Sequence, residues 1–276
     1  MDAVSIESTV AAASRVLSRH LEFTRVLTGG QHAQTVMASD GKAHYVVRTF
    51  DAGDDAAERE VAILCRLDSL GPLTPKLLGF GEAAGRPMIV TSALPGGHLD
   101  PAVSLVTAAE QMAGALAAIH RLDGTDLRQE PRPPQAGLSK LSARAVELWN
   151  QVDVTSRVLT HFDFWCGNAL WDGEHLIGVV DWSGARSAPR GVDVAWCRQD
   201  FVLLGSPAAA DRFLEAYEQH SGHSVPDVGA WDVLAAEQAH SSVESWGLNY
   251  RGVGREDITS NVLRQRFDAW THDLMV

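Results

Sequence analysis

Three side chains between residues 163 and 181 have the chemistry to handle a hard metal ion and a hydroxyl. The stretch His161-Phe162-Asp163-Phe164-Trp165-Cys166-Gly167-Asn168 carries a carboxylate and an amide, and a second carboxylate, Asp181, follows thirteen residues after Asn168. Oxygen donors of this kind suit Mg²⁺, which usually takes one or two carboxylates from protein and fills its shell with water and phosphate. A carboxylate beside such an ion can orient a hydroxyl for phosphoryl transfer.

The convergence of these groups depends on a hairpin. Val158-Leu159 runs into the polar loop, and two apolar runs, Ala169–Trp171 and Leu176–Val180, flank Asp172-Gly173. Asp-Gly between apolar runs is a strong hairpin signal. A hairpin brings its ends together, so Asn168 before it and Asp181 after it are expected close in space, with Asp163 in the loop that feeds it. A surface hairpin with incidental acids is the alternative reading of the same residues.

The pattern His-x-Asp-x-x-x-x-Asn, followed by two apolar residues and Asp181-Trp182, resembles the catalytic loop and metal aspartate of the aminoglycoside phosphotransferase and small-molecule kinase family, similar in fold to protein kinases. The resemblance implies that Asp163 is the catalytic base, that Asn168 and Asp181 hold Mg²⁺, and that His161 keeps the loop in shape. It also implies that Asp193, in the Asp-Val-Ala piece, bonds the catalytic loop's backbone; a plain helix N-cap is compatible with that role. A Phe stands between His161 and Asp163 where many members have Gly.

The N-terminal third reads as a small sheet with helices. Residues 6–20 are amphipathic, with Val10, Ala13, Val16, Leu17 and Leu21 on one side. Strands are expected at 23–27, 35–37 and 44–50, and two more at 76–81 and 86–92. The resemblance makes Gly29-Gly30 a nucleotide-covering turn, although the three-glycine pattern of protein kinases is missing. It makes Arg48 the contact to the α- and β-phosphates, where Arg can bond phosphate bidentately. Its ion-pair partner is Glu60 or Glu58; Leu64 and Leu67 follow Glu60 at i+4 and i+7, which marks Glu60's face as inward. A helix is expected from Asp54-Asp55 to Gly71-Pro72. Pro95-Gly96 signals a linker. In the family that linker is a hinge pairing with adenine, here through the Ser92 carbonyl and the Leu94 amide.

The remainder is expected to be mostly helical: 103–122, 138–152, 193–201, 207–220, 228–249 and 258–274, with loops at 123–137 and 182–192. His120 is expected to be a buried hydrogen-bonding residue. Trp231, Trp246 and Trp270 fall at inward positions. Asp200, Glu237 and Glu244 either face a cleft and bind amino groups or lie on solvated helix faces.

Bulk properties bound the function. The 276 residues are 45% hydrophobic and carry a formal charge of −12. That sign disfavours nucleic acid and anionic membrane and leans toward a cationic ligand. No apolar run is long enough to span a membrane, and the first residues lack a basic-then-apolar signal segment. Three cysteines without paired spacing point to a reducing, cytoplasmic setting.

The expectation is therefore a two-lobed, protein-kinase-like α+β fold. An N-lobe of small antiparallel sheet spans 1–93, a hinge 94–97, and a mostly helical C-lobe with the catalytic loop 98–276. The expected activity is Mg²⁺-dependent transfer of the ATP γ-phosphoryl group to a hydroxyl of a small molecule, an aminoglycoside or similar cationic antibiotic. The alternatives are a metabolite kinase and an inactive nucleotide-binding regulatory module. Only eleven residues separate Asp181 from Asp193, too few for a peptide-docking activation segment.

Overall fold

A computed structural model of the chain describes residues 5–27 and 33–275. Gly29 and Gly30 lie outside the described residues. The chain divides into two compact units: Met1–Pro95 with Gly178–Ser183, and Gly96–Ile177 with Gly184–Val276. No described helix is long and apolar enough to cross a membrane.

The first unit opens with α1 (Ile6–Leu17), capped by the Ser5 hydroxyl, which accepts from Ser8 N. It ends three residues before the expected position because Ser18 turns left-handed, at φ 51°. Strands β1 (Glu22–Leu27), β2 (Ala33–Ser39) and β3 (His44–Phe50) follow. Next come α2 (Ala56–Leu64), β4 (Leu77–Ala83) and β5 (Arg86–Ser92). The five strands form one antiparallel sheet in the order β1-β2-β3-β5-β4.

Strand side chains alternate between faces. Val36, Ala38, Tyr45, Val47, Met88 and Val90 pack with Val10 and Ala13 of α1 as one core. Two glycines of β4 admit α1: a Cβ on Gly79 would lie 2.4 Å from Val16 Cγ1. The alternation sends Arg48 to the other face of β3, with Phe50. There α2 presents Ala57, Glu60, Ile63 and Leu64, while Glu58 points to solvent. The helix stops at Leu64, short of Gly71-Pro72: Arg66 N–H bonds Ile63 O, and residues Leu67–Leu73 form a tighter 3-10 segment with Gly71 at φ 59°.

The second unit holds α3 (Leu105–Ile119), α4 (Lys140–Trp149), β6 (Arg157–Thr160) and β7 (Ala169–Asp172). Strand β8 (His175–Val179) pairs with β7 around Gly173 and runs on into the 178–183 segment grouped with the first unit. Strand β9 (Arg186–Pro189) and α5 (Gly191–Leu203) follow, then α6 (Pro207–Ser221), α7 (Val228–Ala239), α8 (Gly247–Gly252) and α9 (Ser260–Leu274). Helix α3 lies against α6, and α5 touches α6, α7 and α9. A helix enclosed in this way is buried around most of its circumference, and only Val192, Trp196 and Arg198 of α5 escape full burial.

Three features depart from the sequence expectation. Residues 186–189, expected as loop, pair antiparallel with β6, and Glu130 N–H adds a bond to Ser187 O. The expected helix 228–249 breaks after Ala239 into a 3-10 segment, Val243–Trp246, and α8. Trp231 is buried as expected, but Trp246 and Trp270 are only half-buried.

Candidate active site

In the first unit, β3 and α2 set an ion pair. Arg48 Nη1 lies 2.7 Å from Glu60 Oε1, and both residues are buried. The same nitrogen is 3.5 Å from Asp181 Oδ1. Burial pushes the Glu60 carboxyl up to about 7, against the pull of the Arg48 charge. Arg48 Nε and Glu60 Oε2 are buried with no partner among the described residues. Buried polar groups normally find partners, so both atoms are ready for polar groups of a ligand. Asp181 sits at φ 62°, a conformation that costs a non-glycine residue energy, and its Oδ1 accepts from Ser183 Oγ at 2.8 Å. Ser92 N–H bonds Lys76 O, and Ser92 Oγ accepts from Lys76 N–H. Ala93 N–H goes to His44 O.

In the second unit, one stripe of α5 holds the loop after β6. Asp193, Trp196 and Asp200 stand at i, i+3 and i+7, which places them on one face of the helix. Asp193 accepts from His161 N–H at 2.7 Å and from Phe162 N–H at 2.8 Å. Trp196 Nε1 donates to Asp163 Oδ1 at 3.2 Å. Asp200 accepts from Cys166 N–H at 2.9 Å and from Tyr250 OH at 2.7 Å. The pairing of β6 with β9 brings the loop's start to the start of α5: Thr160 opposes Arg186.

Asn168 closes the loop. Its Nδ2 donates to Asp163 O at 2.8 Å and to Asp163 Oδ2 at 3.1 Å. His161 is fully buried, with its ring edge-on to Phe164. His120, also buried, meets Asp193 Oδ2 through Nε2 at 3.1 Å and Tyr217 OH through Nδ1 at 2.7 Å. Burial holds the His120 ring below its ordinary pKa, so it is neutral at pH 7. A carboxylate only accepts, which assigns the proton to Nε2 and makes Tyr217 the donor to Nδ1.

The Asp181 carboxylate in the first unit and the Asn168 amide oxygen in the second are each donors of the kind Mg²⁺ takes. Among the described residues no three His, Cys, Asp or Glu side chains are grouped to hold a metal by themselves. An ion held by so few protein groups depends on phosphate and water for the rest of its shell.

Sequence reasoning missed Trp196 and placed Asp200 either in a cleft or on a solvated helix face. Asp200 is buried and bonded to the loop, and Glu244 is paired to Arg264 at 2.6 Å. The seven-residue spacing of Asp193 and Asp200 was the only local signal of a shared face.

Burial pushes the Asp200 carboxyl up to about 6, with the nearby Asp163 charge adding to the rise. A raised folded pKa means the native state keeps its proton while the unfolded chain loses it. Stability from this group is full below about pH 4 and falls as pH rises to about 6, by on the order of 3 kcal/mol. Asp200→Asn cannot ionise and keeps an acceptor for Cys166 N–H. Urea unfolding at pH 4 and pH 7 is expected to show the variant gaining on the parent chain as pH rises. A pH-independent difference would mean that Asp200 is ionised throughout.

A model of the phosphotransferase enzyme family (APH) matches residues 24–235. A search of the curated proteins finds no significant match. Among solved structures, spectinomycin phosphotransferase in complex with ADP and spectinomycin aligns at TM-score 0.66 and 14% identity, covering 96% of this chain and 95% of that one. A thermostable mutant of an aminoglycoside phosphotransferase, in ternary complex with ADP and hygromycin B, aligns at 0.62 and 17%, covering 95% and 97%. Macrolide 2'-phosphotransferase from Brachybacterium faecium aligns at 0.58 and 17%, covering 94% and 96%. At these identities the structures speak for the fold, an antiparallel-sheet unit followed by a mostly helical one, as in protein kinases. The family match covers most of the chain, so this protein belongs to the phosphotransferase enzyme family.

Proposed function

We propose that the chain transfers the γ-phosphoryl group of ATP to a hydroxyl of a small molecule. The observation that carries this is the Asp163 carboxylate, whose oxygens are oriented by Trp196 Nε1 and Asn168 Nδ2 in a loop tied to α5. A base held in this way can accept a hydrogen bond from the acceptor hydroxyl and aim its oxygen in line. That oxygen bonds to the γ-phosphorus as the bond to the β–γ bridging oxygen breaks. ADP leaves with that electron pair, and the hydroxyl proton passes late to Asp163.

Arg48, fixed by Glu60, takes the α- and β-phosphates; its partnerless Nε supports this. Asn168 and Asp181 supply protein oxygens for Mg²⁺. When bound, Mg²⁺ neutralises charge spreading over the phosphate oxygens. The segment 94–97 serves as a hinge, and the Ser92 carbonyl and Leu94 N–H take adenine. ADP in the spectinomycin and hygromycin complexes supports nucleotide use. The acceptors named there, with the −12 formal charge, support a small hydroxyl compound carrying positive charge.

The test is ATP consumption by purified protein with Mg²⁺ across aminoglycosides, amino sugars and amino alcohols. Turnover on at least one class is expected. ATP binding with no turnover on any acceptor would favour a regulatory nucleotide-binding module instead.

A further inference from the structure

A cavity of about 130 Å³ adjoins the catalytic loop, walled by Phe162, Trp149, Trp196, Trp231 and Leu234, with Glu237 in its lining. It shares a wall with the site, since Trp196 is the residue that bonds Asp163. An apolar cavity of similar size takes a benzene-sized group. Four aromatic side chains line it, a composition that suits an aryl ring or a cation.

The charges around it are unequal. Arg132 also lines the cavity but is exposed; it lies 3.8 Å from Glu130 Oε1, an oxygen that Arg128 Nη2 meets at 2.9 Å and Arg186 Nη1 at 3.9 Å. Arg186 lies with its guanidinium 3.8 Å from the Phe162 ring centroid. Glu237 is half-buried and, among the described residues, accepts from Ser142 Oγ at 3.4 Å. Among the described residues it pairs with no basic side chain. Glu237 is thus a carboxylate of the lining with no ion pair among the described residues.

Phe162 itself sits at φ 68°, where a bulky residue is strained and Gly would be free. Asp193 holds its N–H. Strain kept at a site points to function, and here it fixes an aromatic ring as a cavity wall next to Asp163.

We propose that this cavity is the acceptor subsite, and that it takes a hydroxyl compound bearing one benzene-sized apolar group and one ammonium. This rests on the phosphotransferase reading of the loop. A polyhydroxylated polycation would leave hydroxyls and ammoniums unpaired against indole faces, with a single carboxylate to answer them.

The experiment uses the full chain with Mg-ATP and three probes: 2-(methylamino)-1-phenylethanol, its amine-free analogue 1-phenylethanol, and kanamycin. Phosphoryl transfer is read by ADP release, and binding by intrinsic tryptophan fluorescence. The aryl amino alcohol is expected to change the fluorescence and to be phosphorylated, in preference to kanamycin. Glu237→Gln is expected to raise its KM about 10- to 100-fold with kcat within about twofold, and to leave 1-phenylethanol unaffected. Trp149→Leu should raise KM for both aryl compounds. Failure of the aryl amino alcohol to bind overturns the subsite; if kanamycin is then phosphorylated, the phosphotransferase function stands. Binding without transfer to any probe overturns the assignment of the cavity to the acceptor and counts against that function as well.

Discussion

Replacing Asp163 with alanine is expected to leave nucleotide binding intact and to cut kcat by about 10²- to 10⁴-fold, the range for loss of a positioned general base. The expectation follows from where its partners sit. Trp196 Nε1 and Asn168 Nδ2 both donate to the carboxylate, so its rotamer is set before any acceptor arrives. Asp163→Asn is no neutral substitute: both donors would remain, and the new amide would turn its own N–H groups toward one of them. In the proposed assignment nucleotide affinity rests on other groups, Arg48 on β3 and Glu60 on α2 of the first unit. Calorimetric titration of nucleotide into the variant, beside single-turnover kinetics, separates the two effects. A variant within tenfold of the parent in turnover would remove Asp163 from the role of base and leave the fold assignment standing.

What the sequence made legible, and what it hid, divides by range of interaction. Strand β3 spans the expected 44–50 because a β-branched, aromatic run ends at a turn on one side and an acidic loop on the other. The hairpin β7–β8 was readable from Asp172-Gly173, and Gly173 does adopt a positive φ. The inward face of α2 was readable from the spacing of Glu60 and Leu64. Strand β9 was hidden because Ser187, Ala188 and Pro189 lack strand character. They are strand only because β6 and residues 128–130 bond to them. The grip of α5 on the catalytic loop was partly hidden for the same reason. Asp193 was visible through a family resemblance, whereas Trp196 and Asp200 meet loop residues more than thirty positions away, with no local pattern to announce the contact. The grouping of Gly178–Ser183 with the first unit likewise depends on tertiary contacts alone.

Asp193→Ala is expected to be the most destabilising single change at the site, by about 3–5 kcal/mol, since each of three donors left unpaired costs about 1–3 kcal/mol. Asp193 is fully buried, and its two oxygens accept from His161 N–H, Phe162 N–H and His120 Nε2. Removing it orphans three donors at once, two of them, His161 N–H and His120 Nε2–H, buried. Phe162 adds to the loss, because its left-handed backbone is held in part by that N–H bond. The network runs further: Arg190 Nη1 donates to Tyr217 OH at 3.2 Å, and Tyr217 donates to His120. Asp193→Asn keeps the shape and loses the chemistry, since one oxygen becomes an NH₂ group facing a donor. It too is expected to destabilise, by less than alanine does. Urea unfolding measures both losses, and kinetics on the fraction still folded reads the loop. If Asp193→Ala unfolds at nearly the parent's urea midpoint, the loop is held by its neighbours in β6 and β9, and α5 is only packed beside it.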